Sequence, residues 1–293
     1  MKKIVFLINS MLICVAMFVS CSYKATKPNA QKTYWENNGL KGNVKSLKTI
    51  SYAVMTDLGQ LRKGEIIEDT WGYYNTLVKI NEKGNWTEYS SYKPDGTNIR
   101  LEISKYDIEE NPLEMVVYNY GKIEHRRVFT TDKNGNITEM LRFDANDSLV
   151  LKSLHQFDKN NYEIQSYRYN ATDSLTSKTV SNYNESGNLI ERFNYGADES
   201  LTTKTLYKYD NLGNITERTI FGSDENLIEK TIYQYNEKSL ETEKNTFNPK
   251  NNSNTKTTYK YEKYDKKYNW IERIEYKDDV AVKITEREIE YHE

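Results

Sequence analysis

The sequence predicts an all-β fold: stacked antiparallel β-hairpin repeats, with a period of about 26 residues, forming an elongated, twisted or curled sheet. Three observations carry this. First, an Asp or Asn opens a turn at Asn81, Asp107, Asp132, Asp158, Asn184, Asp210, Asn236 and Asp265, at intervals of 26, 25, 26, 26, 26, 26 and 29 residues. Second, the runs between turns alternate residue by residue, the period of a strand, and no segment past the first twenty residues keeps a helical apolar period. Third, apolar residues make up 37 % of the chain and mean hydropathy is -0.85, yet 25 residues are tyrosine. Disordered chains are poor in aromatics. Amphipathic rings that bury a face and keep the hydroxyl wet suit a thin, high-surface structure.

The unit is clearest in "YKYDNLGNITERTIF", residues 207–221. Asp210 and Gly213 occupy positions i and i+3 of a type I turn, and a left-handed Gly converts it to a three-residue hairpin loop with a bulge. Asn81/Gly84, Asp132/Gly135 and Asn184/Gly187 repeat the spacing. The turns at Asp107, Asp158, Asn236 and Asp265 lack the Gly and are expected to be looser. A second, Asx-rich turn closes each unit, as in "DANDS" (144–148), "NATDS" (170–174) and "GSDEN" (222–226). Pairing outward from the first turn sets Tyr209 against Ile215 and Tyr207 against Glu217. Tyr209, Tyr207, Ile215 and Phe221 then share the more buried face. Lys208, Leu206, Lys204, Thr216, Arg218 and Ile220 take the other, with an aliphatic column Val128, Leu154, Val180, Leu206, Ile232 along the stack.

This unit resembles the YD (Rhs-type) repeat, Tyr-Asp-x-x-Gly-Asn/Arg followed by an apolar residue. The resemblance covers 79–276 and is strongest at 130–143, 181–195 and 207–221. It implies a β-rich hairpin array, export and association with carbohydrate. Such repeats also build spiral shells around secreted toxins. This chain is too short to enclose a cargo and has no Asp-Pro-x-Gly-Leu self-cleavage motif, so toxin function is not implied.

Residues 1–20 read as a lipoprotein signal peptide: Lys2 and Lys3, an apolar run from Ile4 to Val19, then Ser20. "FVSC" (18–21) resembles a bacterial lipobox, with Phe18 where Leu is usual. That resemblance implies acylation of Cys21, hence a lipid membrane partner and a place in the bacterial cell envelope, at the outer membrane. Residues 21–33 form a tether, 34–78 a divergent N-terminal β cap, and 79–293 the repeat array. The only cysteines are Cys14 and Cys21, so the rest of the chain has no thiol chemistry.

Charge is balanced, 41 basic against 43 acidic residues, which argues against nucleic acid as a partner. His125, His155 and His292 share no ligand spacing, and no phosphate loop is present, so neither metal nor cofactor is expected. A glutamate ladder follows the turns (Glu88, Glu114, Glu139, Glu191, Glu217, Glu243 and Glu272, with Gln165 in one unit). Equivalent copies two strands apart lie ~9.6 Å from each other, which suits repeated cross-strand partners better than a differentiated catalytic pair. Arg126, Lys152, Lys178, Lys204 and Lys230 form a basic column read as a solvated face. The aromatic-rich end, "YKYEKYDKKYNWIERIEY" (259–276), offers Tyr261, Tyr264, Tyr268, Trp270 and Tyr276 as candidate binding residues for polysaccharide or an envelope protein. Packing within strands is the competing account of them. The functional expectation is a non-enzymatic binding or scaffolding surface for glycan or protein. The alternative is a glycan hydrolase using carboxylates of one atypical repeat.

Overall fold

The structure is a computed structural model that describes residues 32–68 and 75–293. It contains one short helix, α1 (Tyr34–Asn37), and strands β1 (Val44–Asp57), β2 (Gln60–Ile66), β3 (Thr76–Ile80), β4 (Trp86–Tyr92), β5 (Asn98–Tyr106), β6 (Pro112–Asn119), β7 (Lys122–Thr131), β8 (Ile137–Asp144), β9 (Leu149–Phe157) and β10 (Glu163–Asn170). The chain continues through β11 (Leu175–Tyr183), β12 (Leu189–Tyr195), β13 (Leu201–Tyr209), β14 (Ile215–Gly222), β15 (Leu227–Tyr235), β16 (Glu241–Asn248), β17 (Ser253–Tyr264), β18 (Trp270–Lys277) and β19 (Val280–Tyr291). The all-β, antiparallel hairpin reading is correct.

The expected open sheet is not. β1 pairs with β19 from Val44/Tyr291 to Ala53/Lys283, and on its other edge with β3 from Ser46/Lys79 to Thr49/Thr76. Those pairings close β1 and β3–β19 into an 18-strand barrel, while β2 pairs only with the far end of β1. Residues 42–54, expected as part of a cap over a sheet edge, are instead the strand that closes the ring. The physical cause of closure is visible in the register. Most neighbouring strand pairs carry a bulge, for example at Lys208/Tyr209, Asn182/Tyr183, Asn194/Tyr195 and Ile220/Phe221. Bulges bend a strand and add twist. Repeated at both ends of hairpin after hairpin, they curl the sheet until its edges meet, which also removes the exposed edges an open array would carry.

The bulge corrects the predicted faces as well. Tyr209 does oppose Ile215, but the slip beyond it sets Tyr207 against Arg218, Lys208 against Glu217 and Lys204 against Phe221. Phe221 therefore lies on the lysine face, and Arg218 and Ile220 on the tyrosine face. The turns without Gly are also not looser. Glu110, Asn161, Ser239 and Tyr268 adopt the same left-handed conformation, with φ of 66°, 63°, 57° and 64°, and close the same backbone bonds as Gly213.

The two faces differ in crowding, and this identifies the inner wall. Buried small polar residues inside the strands are far more numerous on the tyrosine face, with Ser51, Ser91, Ser153, Ser181, Thr205, Thr231, Thr257 and Thr285 there against Ser90 and Thr219 on the other. Side chains converge in this way on the concave side of a curved sheet. On the other face Lys79, Lys105, Lys208 and Lys263 splay into solvent, each more than half exposed. That outer wall pairs Glu114 with Val128, Glu139 with Leu154, Glu191 with Leu206 and Glu217 with Ile232. A wall facing hydrocarbon needs an apolar band ~25 Å tall. Charges set within strands of seven to ten residues interrupt any such band.

The N-terminal segment was not expected to be helical. Thr33 and Glu36 form a capping box, the one local signal for α1. Trp35 donates its indole N–H to the Val44 carbonyl at 2.8 Å. Tyr34, Trp35 and Leu40 pack on Val44, Val78 and Ile80, the main apolar cluster.

Candidate functional site: a groove on the inner wall

Five hairpins are each tied to the preceding one by a tyrosine at or near the end of their first strand. The Tyr106, Tyr183, Tyr209, Tyr235 and Tyr261 hydroxyls donate to the backbone carbonyls of Trp86, Glu163, Leu189, Ile215 and Glu241, at 2.6 to 3.0 Å and always twenty residues apart. The repeat breaks this rule on β7 and β9, where Thr131 and Phe157 occupy the tyrosine position. A cavity of about 460 Å³ lies there, lined by Phe129, Ile137, Met140, His155, Phe157, Tyr162, Glu163 and Tyr183. Ile137 is the residue whose carbonyl a tyrosine at 157 would reach.

The next turn departs from the repeat too. The residue after the left-handed position is Asn at 85, 111, 136, 188, 214 and 269, Leu at 240, and an aromatic only in the turn opened by Asp158, where it is Tyr162. Tyr162 stacks on Tyr183 with ring centroids 4.7 Å apart and planes 21° apart. Its hydroxyl end lies against Gly187, whose φ is 81° and where an added Cβ would fall 1.8 Å from that oxygen.

His155 and Glu163 join this aromatic cavity to a polar one of about 340 Å³ lined by Ser153, Ser166, Arg168, Ser177, Thr179, Ser181, Arg192 and Asn194. His155 Nδ1 is 3.2 Å from Glu163 Oε2. Burial alone would raise the Glu163 carboxyl. The hydrogen bond and charge of His155, with Ser166 and Arg192, outweigh it and hold Glu163 below the usual carboxylate range. Ser166, Thr179 and Asn194 form a row across β10, β11 and β12. Arg168 stands opposite Ser177 and Arg192 opposite Ser181, at diagonal corners of that row.

The residues proposed from sequence do not form one surface. Cys21 lies outside the described residues. Tyr261 is a latch tyrosine whose ring meets Trp270 edge-on at 5.7 Å. Trp270 is buried beneath the Arg287 guanidinium, 3.5 Å from its ring centre, so both belong to the packing of the closing seam. Burial and the nearby Arg273 hold Arg287 down to about 10. Tyr264 lies under the Lys238 ammonium at 3.9 Å, Tyr268 is an exposed turn tip, and Tyr276 pairs near Thr258 and Ala281 at the opposite end of the wall. The glutamate ladder points outward into ion pairs: Lys79–Glu88 at 2.9 Å, Lys105–Glu114 at 2.7 Å, Lys208–Glu217 at 3.1 Å and Lys263–Glu272 at 2.7 Å. The basic column joins it, with Lys230–Glu217 at 3.0 Å and Lys204–Glu191 at 3.5 Å. Phe157, Tyr162, Arg168 and Arg192 were missed, and His155 was considered only as a metal ligand. Phe157 and Tyr162 had a signal, their departure from the repeat's own pattern; Arg168 and Arg192 had none of that kind, since Arg142 and Arg218 stand 26 residues away from them.

No known protein family's sequence profile matches the chain, and no curated protein does. Among solved structures, a porin-like protein from Bacteroides uniformis aligns over 85 % of this chain and 99 % of its own, at 8 % identity and a TM-score of 0.43. A porin-like protein from Bacteroides vulgatus covers the same shares at 8 % identity and a TM-score of 0.31. The TcdB2-TccC3-Cdc42 structure aligns over 81 % of this chain but 19 % of its own, at 11 % identity and a TM-score of 0.28. The YD-repeat resemblance therefore does not stand as a family assignment: the hairpins close as a barrel, not as an open or spiral shell, and no family profile supports it.

Proposed function

We propose that this chain is an exported protein anchored through a lipid on Cys21, and that its barrel holds a glycan in the inner-wall groove without chemically altering it. One observation carries the reading. The repeat abandons its own latch at Phe157 and its own turn residue at Tyr162, and an aromatic cavity lies at that place, continuous with a floor of hydroxyl and amide side chains. Aromatic faces stack on the C–H faces of sugar rings, and the Ser, Thr and Asn groups match their hydroxyls. The charged outer wall suits a barrel that stands in water beside the envelope membrane, held by its acyl chains.

A hydrolase is the weaker reading. Glycosidic hydrolysis by paired carboxylates needs two of them ~5–9.5 Å apart. Glu163 is the one carboxylate among the described lining residues of the two cavities, and it is engaged by His155.

Titrating the mature chain, as Cys21→Ser, with a panel of oligosaccharides tests the proposal. Binding should appear without turnover and fall at least about tenfold in Phe157→Ala and Tyr162→Ala, the scale of one lost stacking contact. Retention of no glycan, or equal affinity in both variants with their fold intact by circular dichroism, would defeat it. Wild type should also fractionate with membranes and Cys21→Ser with the soluble protein.

A further inference from the structure

We infer that the polar half of the groove selects an acidic glycan, receiving a carboxylate or sulfate group between Arg168 and Arg192. This rests on the glycan reading above and adds the charge of the ligand.

Arg218 lines the inner wall one unit after Arg192, and its guanidinium is held by Glu229 at 2.5 Å. Twenty-six residues before Glu229 stands Thr203, so Arg192 lacks that carboxylate. Arg168 faces Ser177 directly across the strand pair. Among the described residues neither Arg168 nor Arg192 has a carboxylate within ion-pair distance. Both side chains are more than a third exposed on the otherwise crowded concave wall. Glu163, the acid whose charge Arg192 feels, is already bonded to His155.

Chemistry fits one ligand class. A guanidinium is always charged and its planar fork matches carboxylate or sulfate oxygens with two parallel bonds. The floor between the two arginines, Ser166, Thr179 and Asn194, has short side chains that leave space and supply neutral donors and acceptors. Ser153 at its edge is buried with its hydroxyl unpartnered. The adjoining cavity, with Phe157 and the stacked Tyr162 and Tyr183, offers a ring platform and no Arg or Lys, and its His155 is already engaged by Glu163. A sugar ring can stack at one end while an acidic substituent, on that ring or the next, reaches the other.

Calorimetric titration of the mature chain separates this from the parent reading. The probes are a galacturonate tetramer, a chondroitin sulfate tetrasaccharide and uncharged cellotetraose, at two salt concentrations. At least one acidic probe should bind at least about tenfold tighter than cellotetraose, with the margin shrinking at high salt. Arg168→Gln and Arg192→Gln should each remove most of that margin, lowering acidic-probe affinity far more than cellotetraose affinity. A response to the galacturonate tetramer identifies a carboxylate; a response to the chondroitin sulfate tetrasaccharide alone, which carries both groups, identifies sulfate as the group required. Equal binding of acidic and neutral probes, or an acidic preference that survives Arg168→Gln/Arg192→Gln, overturns the inference while leaving glycan binding standing. Binding of no probe overturns both. Unchanged thermal melting of the two variants excludes misfolding as the cause.

Discussion

Tyr209 donates its hydroxyl to the carbonyl oxygen of Leu189 at 2.6 Å, tying the hairpin that Tyr209 begins to the one Leu189 completes. The bond lies on the inner wall, at the rim where the Asx turns gather. Five tyrosines make it. It explains why the repeat keeps tyrosine where any aromatic would pack: the carbonyl it satisfies sits beside the bulge, where the strand ladder is interrupted.

Removing that bond should therefore destabilise without emptying the wall. Tyr209→Phe and Tyr235→Phe should each lower unfolding free energy by about 1 kcal/mol, the net worth of a neutral hydrogen bond. Urea denaturation with an unchanged slope is the measurement. The reverse change at the broken position, Phe157→Tyr, should reach the Ile137 carbonyl, stabilise by a similar amount, and weaken ligand capture by narrowing the aromatic cavity.

Gly187→Ala should do the opposite at the same site. Its φ of 81° costs an L residue ~1–2 kcal/mol, and the new methyl would also displace the Tyr162 ring from its place on Tyr183. The expected result is a loss of about 2 kcal/mol together with weaker binding. A variant as stable as wild type would mean the Tyr162–Gly187 approach does not constrain the groove.

At the turn tip opened by Asp265 the logic reverses. Tyr268 holds φ 64° while 68 % exposed. Tyr268→Gly removes the left-handed penalty of ~1–2 kcal/mol and adds unfolded-chain entropy worth ~0.5–1. The left-handed term wins, so the melting temperature should rise by a few degrees. Glycan affinity should not change, because Tyr268 stands far outside the groove.

His125 sets a pH dependence. It is 3 % exposed on the inner wall, both ring nitrogens lack a hydrogen-bond partner, and burial, then Arg142 and Arg127, outweigh Glu124 at 3.7 Å and push its pKa from 6.5 to about 4. The folded value lies below the unfolded one, so the folded chain binds fewer protons between them. The stabilisation from keeping this ring neutral is complete above pH 6.5 and is lost as pH falls towards 4, about 3 kcal/mol in all. His125→Leu should flatten stability across that window relative to wild type and, by removing two unpartnered nitrogens, should not weaken the fold at pH 5.

How far the sequence carried the fold can be read from three places. The Asx spacing and the tyrosine face were legible because each is local: Asp210 accepts from its own turn's Leu212 and Asn214, and the pattern repeats in every unit. The face of Phe221 was not, because one bulge beside Tyr209 exchanges every residue past it. Closure was not either. Nothing within β1 or β19 announces its partner, since Leu47 meets Ile289 across 242 residues and the alternation of each strand is satisfied by any neighbour. The groove was hidden for a related reason. Aromatic density favoured Tyr261 and Trp270, which are packing, over Phe157 and Tyr162, which break the pattern.

Closure is the feature on which the groove depends, and a crosslink tests it directly. Ser51 on β1 and Thr285 on β19 face each other on the inner wall, with hydroxyl oxygens 3.4 Å apart and 234 residues between them. Directly opposed residues of an antiparallel pair meet the Cα spacing of ~4.4–6.8 Å that a disulfide needs. In a Cys21→Ser background, Ser51→Cys with Thr285→Cys should oxidise to a single intramolecular bridge. The product should migrate faster on a non-reducing denaturing gel, because nearly the whole chain becomes one loop. In chain-entropy terms a loop of that length stabilises by on the order of 5 kcal/mol, so the bridged protein should also melt later and regain the wild-type value on reduction. An open curled sheet would hold β1 and β19 at opposite edges and give no such bridge. Its absence under an added oxidant, with both thiols free by mass spectrometry, would return the chain to an open array and leave the groove without an enclosing wall.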